Sequence, residues 1–199
     1  MLSAMENDWY NPSSLYTPGQ QASGTLMDAR VRIAHCLGCL PKEIYFTSGG
    51  SEADNQAILS AAAIGKRQGK MHIISTAFEH HAVLYTLKKL EKEGFEITLL
   101  DVGEKGIVSP VQVEKAIRPD TILVTVMYAN NEIGTIQPIR EIGAICRKNG
   151  VLFHTDAVQA AGHLQINVEK DQIDMLSLSA HKFLSLIHIS EPTRLQLIS

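Results

Sequence analysis

Residues 121–156 read TILVTVMYANNEIGTIQPIREIGAICRKNGVLFHTD, and the fold class follows from them. An apolar, β-branched run at residues 121–127 is followed by a segment of helical periodicity at 139–149 and by a second apolar run at 151–156. This pattern predicts a strand, a helix and a second strand. Because neighbouring parallel strands need a crossover connection, the helix between them fits a parallel pair.

The same alternation extends to both sides of this unit. The sequence predicts further strands at 44–47, 71–75, 96–100 and 173–178, and further helices at 25–37, 51–66, 82–93 and 111–117. Crossover helices cover both faces of the sheet that they connect. We therefore expect an α/β fold, a three-layer α/β/α sandwich with a mainly parallel sheet.

Composition excludes several classes of protein. The chain has 199 residues, with 18 Lys and Arg against 21 Asp and Glu, so its formal net charge is -3. This balance offers no basic surface for nucleic acid or for anionic lipid, and we expect neither partner. The longest apolar stretch, Ala57 to Gly65, is interrupted by Ser60 and is too short to span a bilayer.

Three cysteines occur, Cys36, Cys39 and Cys146. An odd number of cysteines without a secretory leader favours a reducing, cytoplasmic location. The Cys36–Cys39 pair admits a metal or redox role, but no second pair with zinc spacing follows. All three lie in predicted helices, so we interpret them as structural.

Polar clusters follow five of the predicted strands. In an open parallel sheet, ligands bind beyond the carboxyl ends of the strands, and we expect these clusters to converge there. The clusters are Ser48-Gly49-Gly50-Ser51-Glu52, Glu79-His80-His81, Asn130-Asn131-Glu132, Asp156 with Gln159, and Ser179-Ala180-His181-Lys182.

The glycine cluster has two interpretations. Between a strand and a helix, Gly49 and Gly50 let backbone N–H groups turn toward a phosphate, which the helix dipole also favours. Alternatively, Ser51 and Asp54 form a Ser-x-x-Asp cap of the helix. The pattern is neither a Walker A loop nor a dinucleotide fingerprint.

Asp156 and Lys182 are also open to two interpretations each. A buried Asp156 needs a cationic partner, such as a protonated heterocyclic nitrogen, or else it caps a helix that starts at Ala157. Lys182 is either solvated or partly desolvated and nucleophilic toward an aldehyde. A phosphate cradle, a carboxylate and a lysine together meet the needs of pyridoxal phosphate.

His80 and His81 are neighbours whose side chains point apart, so only one can face a ligand. A ring stacked on a planar cofactor is the functional interpretation of one of them. No Cys or carboxylate stands at a metal-ligand spacing, and we expect no metal site. The other histidines that we interpret as structural are His35, His72, His154 and His163.

Taken in order, these motifs resemble those of the cysteine desulfurases, in the class V aminotransferase group of fold-type I pyridoxal phosphate enzymes. The resemblance covers residues 5–183. It rests on Asn11-Pro12-Ser13-Ser14, Thr47-Ser48-Gly49-Gly50-Ser51-Glu52, Glu79-His80-His81-Ala82-Val83, Asn130-Asn131-Glu132-Ile133-Gly134, His154-Thr155-Asp156-Ala157-Val158-Gln159 and Ser179-Ala180-His181-Lys182.

The resemblance implies pyridoxal 5'-phosphate as cofactor and a role for each site residue. Lys182 would bind the cofactor covalently and later move the α-proton of the substrate, and Asp156 would keep the ring nitrogen protonated. His80 would stack on the ring. Gln159 would bond its phenolic oxygen, Asn131 would lie beside ring and substrate, and the phosphate would be held by Gly50, Ser51, Ser179 and His181.

The family's reaction takes sulfur from L-cysteine, releases L-alanine and leaves a persulfide on a cysteine of a mobile loop. The resemblance further implies a cytoplasmic homodimer and a sulfur-acceptor protein, either a scaffold of iron-sulfur cluster assembly or a thiolation enzyme. That loop follows the lysine motif in the family, so we assign its cysteine to none of the three present. The alternatives are a selenocysteine lyase with the same cofactor site and an inactive, truncated cofactor-binding chain.

The resemblance also divides the chain. Residues 1–183 would be part of the large, pyridoxal-phosphate-binding domain. Residues 184–199 depart from the family and resemble the translation of a transposon sequencing adapter. We expect this tail to be non-native and to contribute nothing to fold or function.

Overall fold

Five helices flank the sheet in the computed structural model, which describes residues 6, 7, 9–183 and 193–195. They are α1 (Thr17–Leu37), α2 (Gly50–Gln68), α3 (His81–Lys92), α4 (Pro110–Ala116) and α5 (Ile139–Asn149). Short 3-10 turns follow at Pro41–Glu43 and at Ala180–Phe183. No helix within the described ranges is both long enough and apolar enough to cross a membrane.

Seven strands make the main sheet: β1 (Tyr45–Thr47), β2 (His72–Thr76), β3 (Glu96–Leu100), β4 (Thr121–Thr125), β7 (Leu152–Asp156), β8 (Met175–Ser179) and β9 (Thr193–Leu195). Their order across the sheet is β1-β9-β8-β7-β4-β2-β3. The run from β8 to β3 is parallel, and β9 is antiparallel to both of its neighbours. The mainly parallel sheet expected from the sequence is confirmed.

The strands alternate their side chains between two apolar layers. Ile73 and Leu123 pack with α2 and α3 on one face, whereas Ile74 and Val124 pack with α4 and α5 on the other. Successive strand residues point to opposite faces, so a strand buried on both sides is apolar at every position. The three-layer sandwich follows from this arrangement.

The largest difference from the predicted elements concerns α1, which begins at Thr17 rather than at residue 25. Its first turns contain Gly19, Ala22 and Gly24, which give little apolar periodicity. Pro18 stands in the first turn, where its missing N–H costs nothing because that group has no helical acceptor. The sequence signal for the start of α1 was therefore Pro18 and not the hydrophobic pattern.

Two short strands, β5 (Ala129–Asn130) and β6 (Thr135–Ile136), form a separate antiparallel hairpin after β4. The sequence analysis predicted no element between the strand at 121–127 and the helix at 139–149. In the tail, residues 193–195 form β9, so the expectation that the tail contributes nothing to the fold does not hold for these three residues. The other tail residues, 184–192 and 196–199, lie outside the described residues.

Candidate active site

The carboxyl ends of the parallel strands surround a cavity of about 220 Å³. All nine residues predicted for the site line it: Gly50, Ser51, His80, Asn131, Asp156, Gln159, Ser179, His181 and Lys182. They come from five separate stretches of the chain, each at the end of a strand or the start of a helix. The topology thus brings together the clusters that the sequence keeps apart.

One wall of the cavity is the N-terminus of α2. The helix begins at Gly50 with Gly49 as N-cap, and Glu52 Oε2 accepts hydrogen bonds from Ser48 N–H and Ser48 Oγ, both at 2.6 Å. The alternative in which Ser51 caps the helix is therefore wrong, because Ser51 lies inside the first turn. First-turn N–H groups have no acceptor within the helix and are available to an anion.

Gly50 leaves room for an anion to approach the N-terminus of α2. A Cβ atom added to Gly50 would meet Val158 Cγ2 at 3.0 Å and Ser179 Cβ at 3.6 Å. The first of these distances is shorter than ordinary van der Waals contact, so a side chain here would push against Val158. The backbone of the helix N-terminus can therefore approach a ligand only if this residue stays small.

The opposite wall follows β8. Ser179 Oγ and His181 Nδ1 are hydrogen-bonded at 2.7 Å, and the 3-10 turn at Ala180–Phe183 carries His181 and Lys182 past the strand end. Ser179 is buried and His181 half-buried, so two polar groups face the α2 N-terminus. Lys182 is exposed at the mouth of the cavity, which agrees with the solvated and not with the partly desolvated alternative.

Asp156 ends β7 at the floor of the cavity and is 4% exposed. Its Oδ1 accepts a hydrogen bond from Val158 N–H at 2.9 Å. Residues 157–164 form turns and no helix, so Asp156 caps a turn rather than a helix. Burial raises the pKa of the Asp156 carboxyl, while the His80 imidazole opposes that rise. Such a carboxylate calls for a cationic partner.

His80 and His81 diverge at the start of α3. His80 is the N-cap, its Nδ1 accepts from Ala82 N–H at 3.2 Å, and its ring lines the cavity. The His81 ring lies against Tyr85, with centroids 5.6 Å apart. Only His80 therefore faces the site.

Asn131 reaches the cavity from the β5–β6 hairpin. The preceding Asn130 fixes that hairpin, because its Oδ1 accepts from Glu132 N–H at 2.8 Å and from Ile133 N–H at 3.1 Å. Its Nδ2 donates to Phe78 O at 3.1 Å, which ties the hairpin to the segment after β2. Asn130 thus supports the position of Asn131.

Sequence reasoning missed three further residues that line the cavity, Asp54, Met127 and Val158. Asp54 is 1% exposed and lies 3.7 Å from His154, measured between Oδ1 and Nε2. A signal for it was available: Asp54 stands three and four residues before Ala57 and Ile58, on the buried face of α2. A carboxyl group on an apolar helix face requires an explanation.

Burial shifts the pKa values of the titratable side chains at the floor of the cavity. Burial raises the pKa of Glu79 to about 8, against the hydrogen bonds from Thr76 and Met127, and burial lowers the pKa of His154 to about 3. Burial, followed by the nearby Asp156 carboxyl, raises the pKa of Asp54 well above its usual range. Burial therefore disfavours the charged forms of these side chains at the floor of the cavity.

The cysteines lie away from this cavity. Cys36 is exposed in α1, Cys146 is buried in α5, and burial raises the pKa of the Cys146 thiol. Cys39 follows the C-cap Gly38, so its assignment to a helix is wrong by two residues. Within the described ranges, no group of three His, Cys, Asp or Glu side chains could hold a metal ion.

The family model for class V aminotransferases matches residues 3–187. Cysteine desulfurase IscS of Methanosarcina thermophila is 53% identical over 183 residues, which are 92% of this chain and 45% of that protein. The putative cysteine desulfurase IscS 1 of Bacillus subtilis strain 168 is 52% identical over 182 residues, 92% of this chain and 48% of that protein. The chain thus spans about half the length of the curated relatives it matches.

Two solved structures are also similar to this chain in fold and sequence. SspA in complex with cysteine superposes with a TM-score of 0.91 at 39% identity, over 98% of this chain and 55% of that one. DndA from Streptomyces lividans superposes with a TM-score of 0.87 at 36% identity, over 98% of this chain and 54% of that one. The matched regions include every residue of the cavity described above.

Proposed function

The chain belongs to the class V aminotransferase family, and on this basis we propose that it is the cofactor-binding part of a cysteine desulfurase. The observation that carries the proposal is the grouping of a helix N-terminus, a buried carboxyl group and a lysine in one cavity. The names of the relatives support cysteine as the substrate. The full-length enzyme is here the protein that continues this chain to the length of those relatives.

The donor set fits pyridoxal 5'-phosphate, the cofactor of this family. A phosphate suits the first-turn N–H groups of α2, where Gly50 leaves room for close approach, together with Ser51, Ser179 and His181. A pyridinium nitrogen suits buried Asp156, with which no lysine or arginine in the described part of the chain forms an ion pair. When bound, the cofactor accepts the electron pair that a substrate carbon retains on losing a proton.

Each residue then has a defined task. Asp156 would hold a positive charge on the ring nitrogen through its carboxylate. His80 would cover one face of the ring, and Gln159 would donate a hydrogen bond to the phenolic oxygen. Asn131 would orient ring and substrate from the hairpin. Lys182 would hold the cofactor through Nζ and would hold the α-proton of the substrate at the same atom.

The overall reaction balances without an external oxidant. L-Cysteine and an enzyme thiol give L-alanine and an enzyme persulfide, so the sulfur passes from carbon to the thiol and the thiol proton returns to the product. None of the three cysteines lines the cavity. Because the chain spans about half the length of its relatives, we propose that the accepting thiol belongs to a part of the enzyme outside this chain, and we expect the 199-residue chain alone to be inactive.

The remaining proposals concern the setting of the enzyme. We propose a homodimer that passes sulfur to an acceptor protein of iron-sulfur cluster assembly or thiolation, as the IscS names of the relatives suggest. The odd number of cysteines, three in all, supports a reducing compartment such as the cytoplasm. Residues 1–183 would belong to the cofactor-binding domain and 184–199 would be non-native, which sequencing of the encoding DNA tests directly.

The proposed function is tested by supplying the full-length enzyme with pyridoxal 5'-phosphate and L-cysteine. We expect L-alanine to form and one persulfide per active site to accumulate when no acceptor is present. Production of alanine from L-selenocysteine alone would favour the selenocysteine lyase. If neither substrate yields alanine although the cofactor is bound, the desulfurase proposal fails.

A further inference from the structure

A chain of buried polar side chains lies directly below Asp156. Thr125 Oγ1 contacts His154 Nδ1 at 2.8 Å, and His154 Nε2 contacts Ser177 Oγ at 3.0 Å and Asp54 Oδ1 at 3.7 Å. Thr125, His154 and Ser177 are fully buried, and Asp54 is 1% exposed. We call these four residues the Asp54 network.

The Asp54 network joins three of the elements that the cofactor would touch: α2, β7 and β8. Asp54 belongs to the second turn of α2, whose N-terminus faces the phosphate position. His154 precedes Asp156 by two residues on β7, and Ser177 is the register partner of Asp156 on β8. The network therefore cross-links the phosphate position to the ring-nitrogen position through protein atoms alone.

Asp54 itself is unusual because its buried Oδ1 finds no hydrogen-bond partner within the described part of the chain. A second buried carboxyl oxygen, Glu79 Oε2, also lacks a partner among the described residues. Leaving a buried carboxylate oxygen unsatisfied is costly, whereas a protonated oxygen can donate to a neighbour. Ser177 is hydrogen-bonded to the Asp54 carboxyl group, and His154 Nε2 lies 3.7 Å from Asp54 Oδ1, in the direction in which a proton on that oxygen can point.

The balance of charge around Asp54 also favours a protonated Asp54. Asp54, Glu79 and Asp156 lie close enough to influence one another electrostatically, and no lysine or arginine among the described residues forms an ion pair with any of them. One ring nitrogen can compensate one negative charge. Burial and the repulsion between like charges then favour the neutral form of the other two carboxyl groups.

We propose that Asp54 is a positioning residue that works as a neutral carboxylic acid, donating toward His154 and leaving Asp156 as the only charged carboxylate below the cofactor. In this role it fixes the spacing between α2 and β7 without competing with Asp156 for the ring nitrogen. Burial of both groups agrees with this assignment, because it favours a protonated Asp54 and a neutral His154. The inference rests on the proposed cofactor site and adds to it a residue that the cofactor need not contact.

Infrared spectroscopy tests the protonation directly. At pH 7.5, the full-length holoenzyme should have carbonyl bands of protonated carboxylic acids that shift in D2O. Asp54→Asn should remove one such band and Glu79→Gln another, whereas the exposed control Asp101→Asn should remove none. A wild-type spectrum without any acid band would overturn the proposal, even if no variant folds. These bands can be read whether or not cysteine is desulfurated, so the result is independent of the proposed function.

A rescue series tests the positioning role. Asp54→Leu fills the space but cannot donate, and we expect it to weaken binding of pyridoxal 5'-phosphate about tenfold, as for a lost buried hydrogen bond. Asp54→Asn keeps a neutral donor and should bring the dissociation constant back to within about threefold of wild type. Equal weakening in both variants would mean that a charged Asp54 is required and would contradict the proposal. Unchanged binding in Asp54→Leu would contradict it as well.

Discussion

Glu79 accepts a hydrogen bond from Met127 N–H at 2.9 Å, and this bond joins the segment after β2 to the segment after β4. The same oxygen, Oε1, accepts from Thr76 Oγ1 at 2.6 Å. His80 follows Glu79 directly. The hydrogen bonds to Glu79 therefore fix the backbone from which the His80 ring extends into the cavity. A carboxyl group is thus used as a structural bracket inside the candidate site.

This bracket predicts a pH dependence of stability. Burial raises the pKa of Glu79 from 4.5 to about 8 in the folded protein. The folded state therefore holds a proton that the unfolded state releases, so the stabilisation is complete below pH 4.5 and is lost as the pH rises to about 8. Between these values, Glu79 should lower the free energy of unfolding by up to about 1.4 kcal/mol per pH unit.

The measurement is urea unfolding of the cofactor-free, full-length enzyme across this range of pH. Glu79→Gln cannot titrate and should make the decline with pH less steep by up to one proton's contribution. The exposed Glu104→Gln is the matched control and should retain the wild-type slope. A Glu79→Gln slope identical to wild type would show that Glu79 does not hold the extra proton.

The close approach at Gly50 predicts a second effect. Gly50→Ala puts a Cβ atom at 3.0 Å from Val158 Cγ2, so the helix N-terminus must shift away from the phosphate position. Strain of this kind costs about 1–3 kcal/mol, and we expect the affinity for pyridoxal 5'-phosphate to fall about tenfold.

Val158→Ala in the same chain removes the opposing methyl group and should restore most of the affinity that Gly50→Ala loses. Fluorescence titration of the cofactor-free enzyme measures both variants. Failure of the double variant to recover would assign the loss to a cause other than this contact.

Two adjacent histidines provide a matched pair. His80 lines the cavity and His81 packs against Tyr85. His80→Ala should therefore change the absorption spectrum of the bound cofactor and lower kcat about tenfold or more, whereas His81→Ala should leave both near wild type. Equal effects of the two substitutions would contradict the assignment of His80 to the ring face.

Asp156 is the residue assigned to keep the ring nitrogen of the cofactor protonated. Asp156→Ala removes the only carboxylate assigned to the ring nitrogen, and an unprotonated ring is a poor electron acceptor. We expect kcat for alanine formation to fall by roughly a hundredfold or more. Retention of wild-type turnover with bound cofactor would remove Asp156 from the mechanism.

Much of the fold was accessible from sequence because buried parallel strands are continuous apolar runs. The predicted strand at 151–156 corresponds to β7 at Leu152–Asp156, and the predicted helix at 82–93 corresponds to α3 at His81–Lys92. The beginning of α1 was missed because its first turns contain small residues. The hairpin of β5 and β6 was missed because strands of two residues have no detectable alternation.

Only those features of the site that short sequence motifs indicate could be predicted. The rule that ligands bind at the carboxyl ends of parallel strands brought Gly50 and Lys182 into one hypothesis, although 131 residues separate them along the chain. Spacing could not show that Glu52 would bond to Ser48 and leave Ser51 free within the helix. Nor could it show that Asp54 would meet His154 below Asp156, since that contact depends on how α2 packs on β7.

The most direct test of the central claim is the site of covalent attachment. Full-length enzyme incubated with pyridoxal 5'-phosphate, reduced with borohydride and digested should yield one labelled peptide, with the modification on Lys182 Nζ. Lys89, which lies beside the neighbouring His81 surface, should remain unmodified. A colourless protein that takes up no cofactor, or a label on another lysine, would contradict the account.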